Sequence, residues 1–142
     1  MLSTRIFDPG TLVLLGACDS GTVVQSDINE AIGIPIGILG AGAHSVVGAM
    51  WPVARIAAAI CLRFLEEVAQ ETPSPEALQR ACLWLRGATF GQLHEELKAV
   101  EHPAAALVAK VKAEAPDSVP YGEPRFWASY VHWGGGWRTQ SM

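Results

Sequence analysis

The chain has 142 residues, of which half are hydrophobic and 17% are charged, and its formal net charge is −4. This length suits one domain with a packed core, and the lack of any Lys- or Arg-rich block argues against nucleic acid as a partner. The longest apolar stretch, residues 32–53, contains prolines, glycines and a histidine, so it indicates buried globular structure rather than a membrane span. The three cysteines have no metal-type spacing and no secretion signal is visible, so we expect a cytoplasmic protein with free thiols.

The first predicted elements are a short lead-in, a strand and a helix. Residues 1–10 form the lead-in, and residues 11–16 (TLVLLG) are a nearly continuous aliphatic run without polar alternation. Such a run is typical of a strand buried on both faces, as in a parallel sheet covered by helices. Asp27 can cap the helix that follows, with Glu30 at the capping-box spacing, and Gly40 ends that helix.

Two further strands and four further helices complete the predicted order. The strands are residues 44–51 and 125–134, and the helices are residues 54–70, 75–86 with Ser74 as cap, 89–100 opened by Thr89, and 103–114. Strands separated by helices predict an α/β fold with a mainly parallel sheet. Three strands are few for such a sheet, so we expect them to be part of a larger one.

Most of the residues that could carry chemistry have an ordinary interpretation. None of the four histidines stands at metal-ligand spacing from a Cys, Asp or Glu, so all four are predicted to be packed or surface residues. No metal and no cofactor are expected. Cys61 and Cys82 fall in apolar helical patterns and are predicted to be small core residues.

Cys18 differs from the other two cysteines in its surroundings. It follows the first buried strand through the small residues Gly16 and Ala17, and the turn-forming sequence Asp-Ser-Gly comes after it. Catalytic groups of open α/β sheets gather at the carboxyl ends of strands, where backbone amides can stabilise an oxyanion. On these features alone, Cys18 is either a nucleophile or a small apolar residue that ends a strand.

Four blocks of the sequence resemble one family, in the right order. They are LVLLGACDSG, GILGAGAHSVVGAMWPV, SPEALQRACLWLR and FWASYVHWGG, and they are similar to the motifs of CHAT-domain proteins, the caspase-like group related to separase. The resemblance implies the C-terminal part of a caspase-like three-layer α/β/α sandwich. It also implies that Cys18 is the nucleophile and one oxyanion donor, and that the substrate is a protein or peptide. Asp19 then either helps to shape the substrate pocket or serves as a turn residue.

The sequence departs from the family pattern in two places. Ala54 and Arg55 stand where the family usually has acidic residues after Trp-Pro-Val. More seriously, the family places its catalytic histidine in a His-Gly motif on the strand before the cysteine, and none of the seventeen residues before Cys18 is a histidine. Residues 1–142 are therefore expected to form a single partial domain that holds the nucleophile without its base and is inactive alone. A truncated form, a split gene product and a pseudoenzyme all fit this pattern.

The absence of the family's histidine-bearing strand from the predicted elements also affects which partners we expect. If the strand at 11–16 lacks its neighbour, its open edge is expected to pair with an upstream half-domain that carries the catalytic histidine, or with a second copy of the chain. The alternative to a cysteine endopeptidase is a catalytically inactive, caspase-like interaction or oligomerisation module. Neither partner class involves nucleic acid or a membrane.

Overall fold

Three short strands form one mixed sheet in the computed structural model, which describes residues 5–16, 28–51, 53, 55–99 and 115–137. The strands are β1 (Leu12–Leu14), β2 (Ser45–Ala49) and β3 (Tyr130–Gly134), and their order in the sheet is β1-β2-β3. β1 runs parallel to β2, whereas β3 runs antiparallel to it. The α/β class predicted from the sequence is confirmed, but the described sheet is mixed rather than mainly parallel.

Five α-helices accompany the sheet in the described residues. They are α1 (Ile28–Gly40), α2 (Ala58–Ala69), α3 (Ser74–Gly87), α4 (Phe90–Ala99) and the single turn α5 (Pro124–Trp127), with a 3₁₀ turn at Arg55–Ala57 before α2. The first four match predicted helices. The helix predicted over 103–114 lies outside the described residues.

The last predicted strand is wrong in its first half. Residues 125–134 were expected to be extended because aromatic and β-branched residues dominate them, but the chain forms α5 before it enters β3. Pro124 stands at the start of that helical turn, where its fixed φ and its missing N–H suit a helix. The strand itself begins at Tyr130.

The helices follow from their apolar periodicity. Phe64 and Val68 on α2 and Leu85 on α3 recur on one side of their helices and are buried between them. Thr89 opens α4 as the sequence predicts, because its backbone N–H donates to Gln92 Oε1 at 2.9 Å and its hydroxyl accepts from the Gln92 N–H at 3.3 Å. This reciprocal pair is a capping box.

The main core lies on one face of the sheet. Val47 and Tyr130 belong to a buried cluster with residues of α2, α3 and α4, and Leu12 and Leu14 pack against it. α1 contacts β2 but gives no described side chain to that cluster, so it covers the opposite face, since neighbouring strand residues point to opposite sides. No helix in the described part of the chain is long and apolar enough to cross a membrane.

Candidate active-site edge of the sheet

β1 and β2 end side by side at what we call the carboxyl edge of the sheet. Leu14 is opposite Val47, and the Leu15 N–H donates to the Val47 carbonyl oxygen at 2.8 Å. A Cβ added to Gly48 would lie 3.3 Å from the Leu15 side chain, so the two chains approach closely just beyond β1. The described chain then continues to Gly16, which is exposed.

The two sequence-predicted site residues follow directly. Cys18 and Asp19 lie outside the described residues, so their predicted roles remain predictions. What the structure does describe is the strand that leads to them and the side chains on the neighbouring strands of the same edge.

Trp51 is the main exposed side chain at this edge. It follows β2 and is 43% exposed, whereas the other four tryptophans are only partly exposed. Its indole N–H donates to the Arg125 carbonyl oxygen at 3.3 Å, and the Met50 N–H donates to the Ser129 carbonyl oxygen at 2.8 Å. These bonds tie the end of β2 to the chain between α5 and β3, so the Trp51 ring has its polar atom satisfied and an apolar surface free. The sequence analysis missed Trp51 as a site residue, although its place directly after a buried strand marks it.

The other two cysteines lie in α2 and α3 and pack in or against the core. Cys82 is buried, and burial, followed by the nearby Cys61, raises the pKa of its thiol to about 11. The Cys61 thiol donates to the Tyr130 hydroxyl at 3.4 Å. Since the thiolate is the reactive form, the raised pKa disfavours reaction of Cys82 at neutral pH. The prediction that Cys82 is a small core residue is confirmed, whereas Cys61 is half-buried and packs against the core.

One histidine has a partner that the sequence analysis did not foresee. His132 Nε2 lies 2.8 Å from the Ser74 hydroxyl oxygen, 58 residues away along the chain. Ser74 was expected to cap α3, but Pro73 takes the cap position and Ser74 is the first residue of the helix, without a side-chain cap bond. Burial, and then the neighbouring His44, lowers the pKa of His132.

The Ser74–His132 pair has the spacing of a nucleophile and its base, but it cannot act on a substrate. Ser74 is 0% exposed, and its Oγ already accepts the Trp137 backbone N–H at 2.9 Å. An attacking oxygen must be reachable, so this pair is part of the packing rather than a hydrolytic site. Among the described residues, no group of three or more His, Cys, Asp or Glu side chains could hold a metal ion, and His102 lies outside them.

Comparison with known families gives one match. A family model described as CHAT domain covers residues 4–135 of the chain, and this span contains all four sequence blocks that carry the resemblance. Comparisons with curated proteins and with solved structures give no match.

Proposed function

The chain belongs to the CHAT-domain family, and from this premise we propose that it carries the nucleophile half of a cysteine endopeptidase site, with Cys18 as the nucleophile. The observation that carries the proposal is the placement of β1. This strand is parallel to β2 and its carboxyl end leads to Gly16, which is two residues before Cys18. Chain connectivity keeps the two Cα atoms within about 7 Å of each other.

The position of Cys18 in the sequence favours a catalytic role over a packing role. The carboxyl ends of parallel strands are the edge where α/β proteins place reacting groups. Trp51 at this edge offers an apolar surface for a peptide side chain, and Asp19 is a second candidate for substrate contact. Cys82, by contrast, is buried with a raised pKa. Cys18 is thus the cysteine we assign to the chemistry.

The proposed reaction needs a base that the first seventeen residues do not contain. In the proposed scheme, a histidine takes the Cys18 thiol proton, and the sulfur attacks the scissile carbonyl carbon. The Cys18 N–H stabilises the oxyanion, and the histidine then protonates the departing amine. Water hydrolyses the resulting thioester and restores the thiol. His44 precedes β2 at the edge opposite to the carboxyl edge, and His132 is bonded to the buried Ser74. In the proposed scheme the base is a histidine supplied from outside these 142 residues, as the family's His-Gly motif implies.

A strand that carries such a histidine could pair with the open edge of β1. Within the described residues, β2 is the strand that pairs with β1, and the other side of β1 has no strand beside it. Unpaired strand edges accept further strands. We propose that a strand carrying the histidine, from an upstream half-domain, adds there and completes a caspase-like sandwich. A second copy of the chain is the competing occupant.

A second candidate function has its own support. Ile34 and Ile36 on α1 are 56% and 58% exposed, although a helix that is apolar all round is normally buried. This exposure favours a non-catalytic module that binds a protein partner through α1. In that case Cys18 is a small residue at the end of a strand and has no special reactivity.

Thiol labelling separates the two functions. The purified chain is treated briefly with a peptidyl chloromethyl ketone, and the modified cysteine is identified by mass spectrometry, with Cys18→Ala and Cys82→Ala as matched variants. The endopeptidase proposal expects Cys18 to react first, and labelling to be lost in Cys18→Ala alone. Because the buried Cys82 should react slowly in either case, the deciding comparison is Cys18 with the peptidyl reagent against Cys18 with iodoacetamide, and no preference for the peptidyl reagent would contradict the endopeptidase proposal and favour the binding module.

Activity tests the assignment of the base. The chain alone is expected to release no peptides from casein, because a thiol of ordinary pKa is only a few per cent thiolate at neutral pH. Hydrolysis that disappears in Cys18→Ala would confirm the nucleophile and overturn the view that the base comes from elsewhere.

A further inference from the structure

The four residues Gly134–Trp137, which we call the strap, cross the amino ends of β2 and β1. The Gly135 N–H donates to the His44 carbonyl oxygen at 3.1 Å. The Trp137 indole N–H donates to the carbonyl oxygen of Gly10, in the turn that precedes β1. The strap therefore links the end of β3 to the turn before β1, and Trp137 and Gly10 are 127 positions apart along the chain.

Glycine is required where the strap passes His44. Gly134 has a φ of +94°, and a Cβ there would lie 2.4 Å from the His44 carbonyl oxygen. A Cβ on Gly135 would lie 2.6 Å from His44 Nε2. The His44 ring thus lies directly against one side of the strap.

The other side of the strap is bound to the start of α3. The Ser74 N–H donates to the Trp137 carbonyl oxygen at 2.8 Å, and the Trp137 N–H donates to Ser74 Oγ at 2.9 Å. Ser74 Oγ is also 2.8 Å from His132 Nε2. Two imidazoles therefore lie next to the strap: the His44 ring contacts it, and His132 is connected to it through Ser74.

The proton positions at Ser74 are decided by its burial. Its oxygen already accepts the Trp137 N–H, and its own hydroxyl proton must find an acceptor because Ser74 is fully buried. We assign to neutral His132 the tautomer with an unprotonated Nε2, which makes it that acceptor at 2.8 Å. When His132 is protonated, Nε2 becomes a donor and faces the hydroxyl proton of Ser74, and the new positive charge lies near His44.

We propose that the strap is a proton-sensitive latch, which neutral His132 holds closed against the turn at Gly10 and which protonation of His132 releases. Release frees the Trp137 indole from Gly10 and so loosens the amino end of β1. The latch does not depend on any activity of Cys18. It is a conformational control over the strand that leads to that residue.

The groups around His132 favour release of the strap on protonation rather than closure. Burial, and then His44, lowers the pKa of His132 in the closed strap, so the proton binds more tightly once the strap is open. The stability of the closed strap relative to the open strap is greatest above the ordinary histidine pKa of about 6.5 and decreases as the pH falls below it. On α3, Glu76 lies near Ser74 but its carboxylate is bound to Arg80 at 2.6 Å, and the facing residue on β2, Val47, is neutral.

Hydrogen exchange by NMR tests the latch on the intact chain. Protection factors of the Trp137 indole and amide protons are measured between about pH 7.5 and about pH 5, a range that spans the ordinary histidine pKa. In the wild type they should fall by up to about tenfold per pH unit, as one linked proton requires. In His132→Gln, which keeps an acceptor but cannot ionise, they should stay level. His94→Gln, which alters a histidine of α4, is the matched control and should behave as the wild type.

Two further variants keep the test decisive. His44→Gln removes a group that lowers the pKa of His132 in the closed strap, so protonation should favour release less and the protection factors should fall less with decreasing pH than in the wild type. Ser74→Ala should lower protection at both ends of the range, and if it fails to fold, His132→Gln and His44→Gln decide. A pH-independent wild type, or His132→Gln with the wild-type profile, would overturn the proposal, and a His44→Gln variant with the full wild-type pH dependence would contradict the coupling of the two imidazoles.

Discussion

Substituting one glycine of the strap should destabilise the protein strongly, while substituting another should not. Gly134 has a φ of +94°, and a Cβ on it would lie 2.4 Å from the His44 carbonyl oxygen and 3.0 Å from Leu39 Cδ2. Gly136, two residues further, has no positive φ, and a Cβ there would meet Pro75 at 3.7 Å, an ordinary van der Waals distance. Gly134→Ala and Gly136→Ala are therefore a matched pair that differ in backbone conformation and available space.

The size of the effect follows from two costs. Holding a residue other than glycine in a sparsely populated φ/ψ region costs roughly 1–3 kcal/mol. Forcing a methyl group into filled space costs about 1–3 kcal/mol more, and here the obstacle is a backbone carbonyl, which cannot rotate away. Gly134→Ala should therefore lose roughly 2–6 kcal/mol of a total near 5–15 kcal/mol, whereas Gly136→Ala should stay within about 0.5 kcal/mol of the wild type.

Thermal and urea unfolding followed by circular dichroism measure both variants. At this chain length, roughly 3–4 °C of Tm corresponds to 1 kcal/mol, so Gly134→Ala should melt roughly 6–24 °C below the wild type. The reasoning would be refuted if Gly134→Ala unfolded at the wild-type midpoint. It would also fail if Gly136→Ala lost as much, because the two positions would then not differ in backbone conformation and available space as described.

Three further predictions concern thiols, association and pH. In native alkylation, Cys82 should be modified last, because burial and Cys61 raise its pKa to about 11; faster modification of Cys82 than of Cys18 would contradict this. Sedimentation at micromolar concentration should show association of the chain through the open edge of β1 (Leu12–Leu14), and a monomer with fully protected amides along β1 would argue against it. The free energy of unfolding should decrease as the pH falls through the ordinary histidine range, because burial and His44 lower the pKa of His132 in the folded protein. His132→Gln should flatten that dependence in denaturant titrations, and an equally steep profile in this variant would assign the effect to another group.

Local pattern in the sequence determined much of the fold. The aliphatic runs around Val13 and Val46 predict β1 and β2, since a strand buried on both faces needs no polar alternation. β2 is buried as that pattern predicts, but β1 is only half-buried. The 3.6-residue spacing of apolar side chains predicts α2 and α3. The family was also within reach of the sequence, because its motifs are short contiguous blocks. The role of Cys18 rests on the same blocks and stays a prediction.

Only the tertiary structure decided the direction of β3, the helical turn α5, the exposure of Trp51 and the contacts of the strap. The Ser74–His132 bond joins residues 58 positions apart, and the Trp137–Gly10 bond spans 127 positions. Periodicity and capping rules describe interactions over a few residues, so they cannot say which distant groups meet. Ser74 shows the difference, because its sequence context suits a helix cap, whereas its burial beside β3 and the strap gives its hydroxyl a different partner.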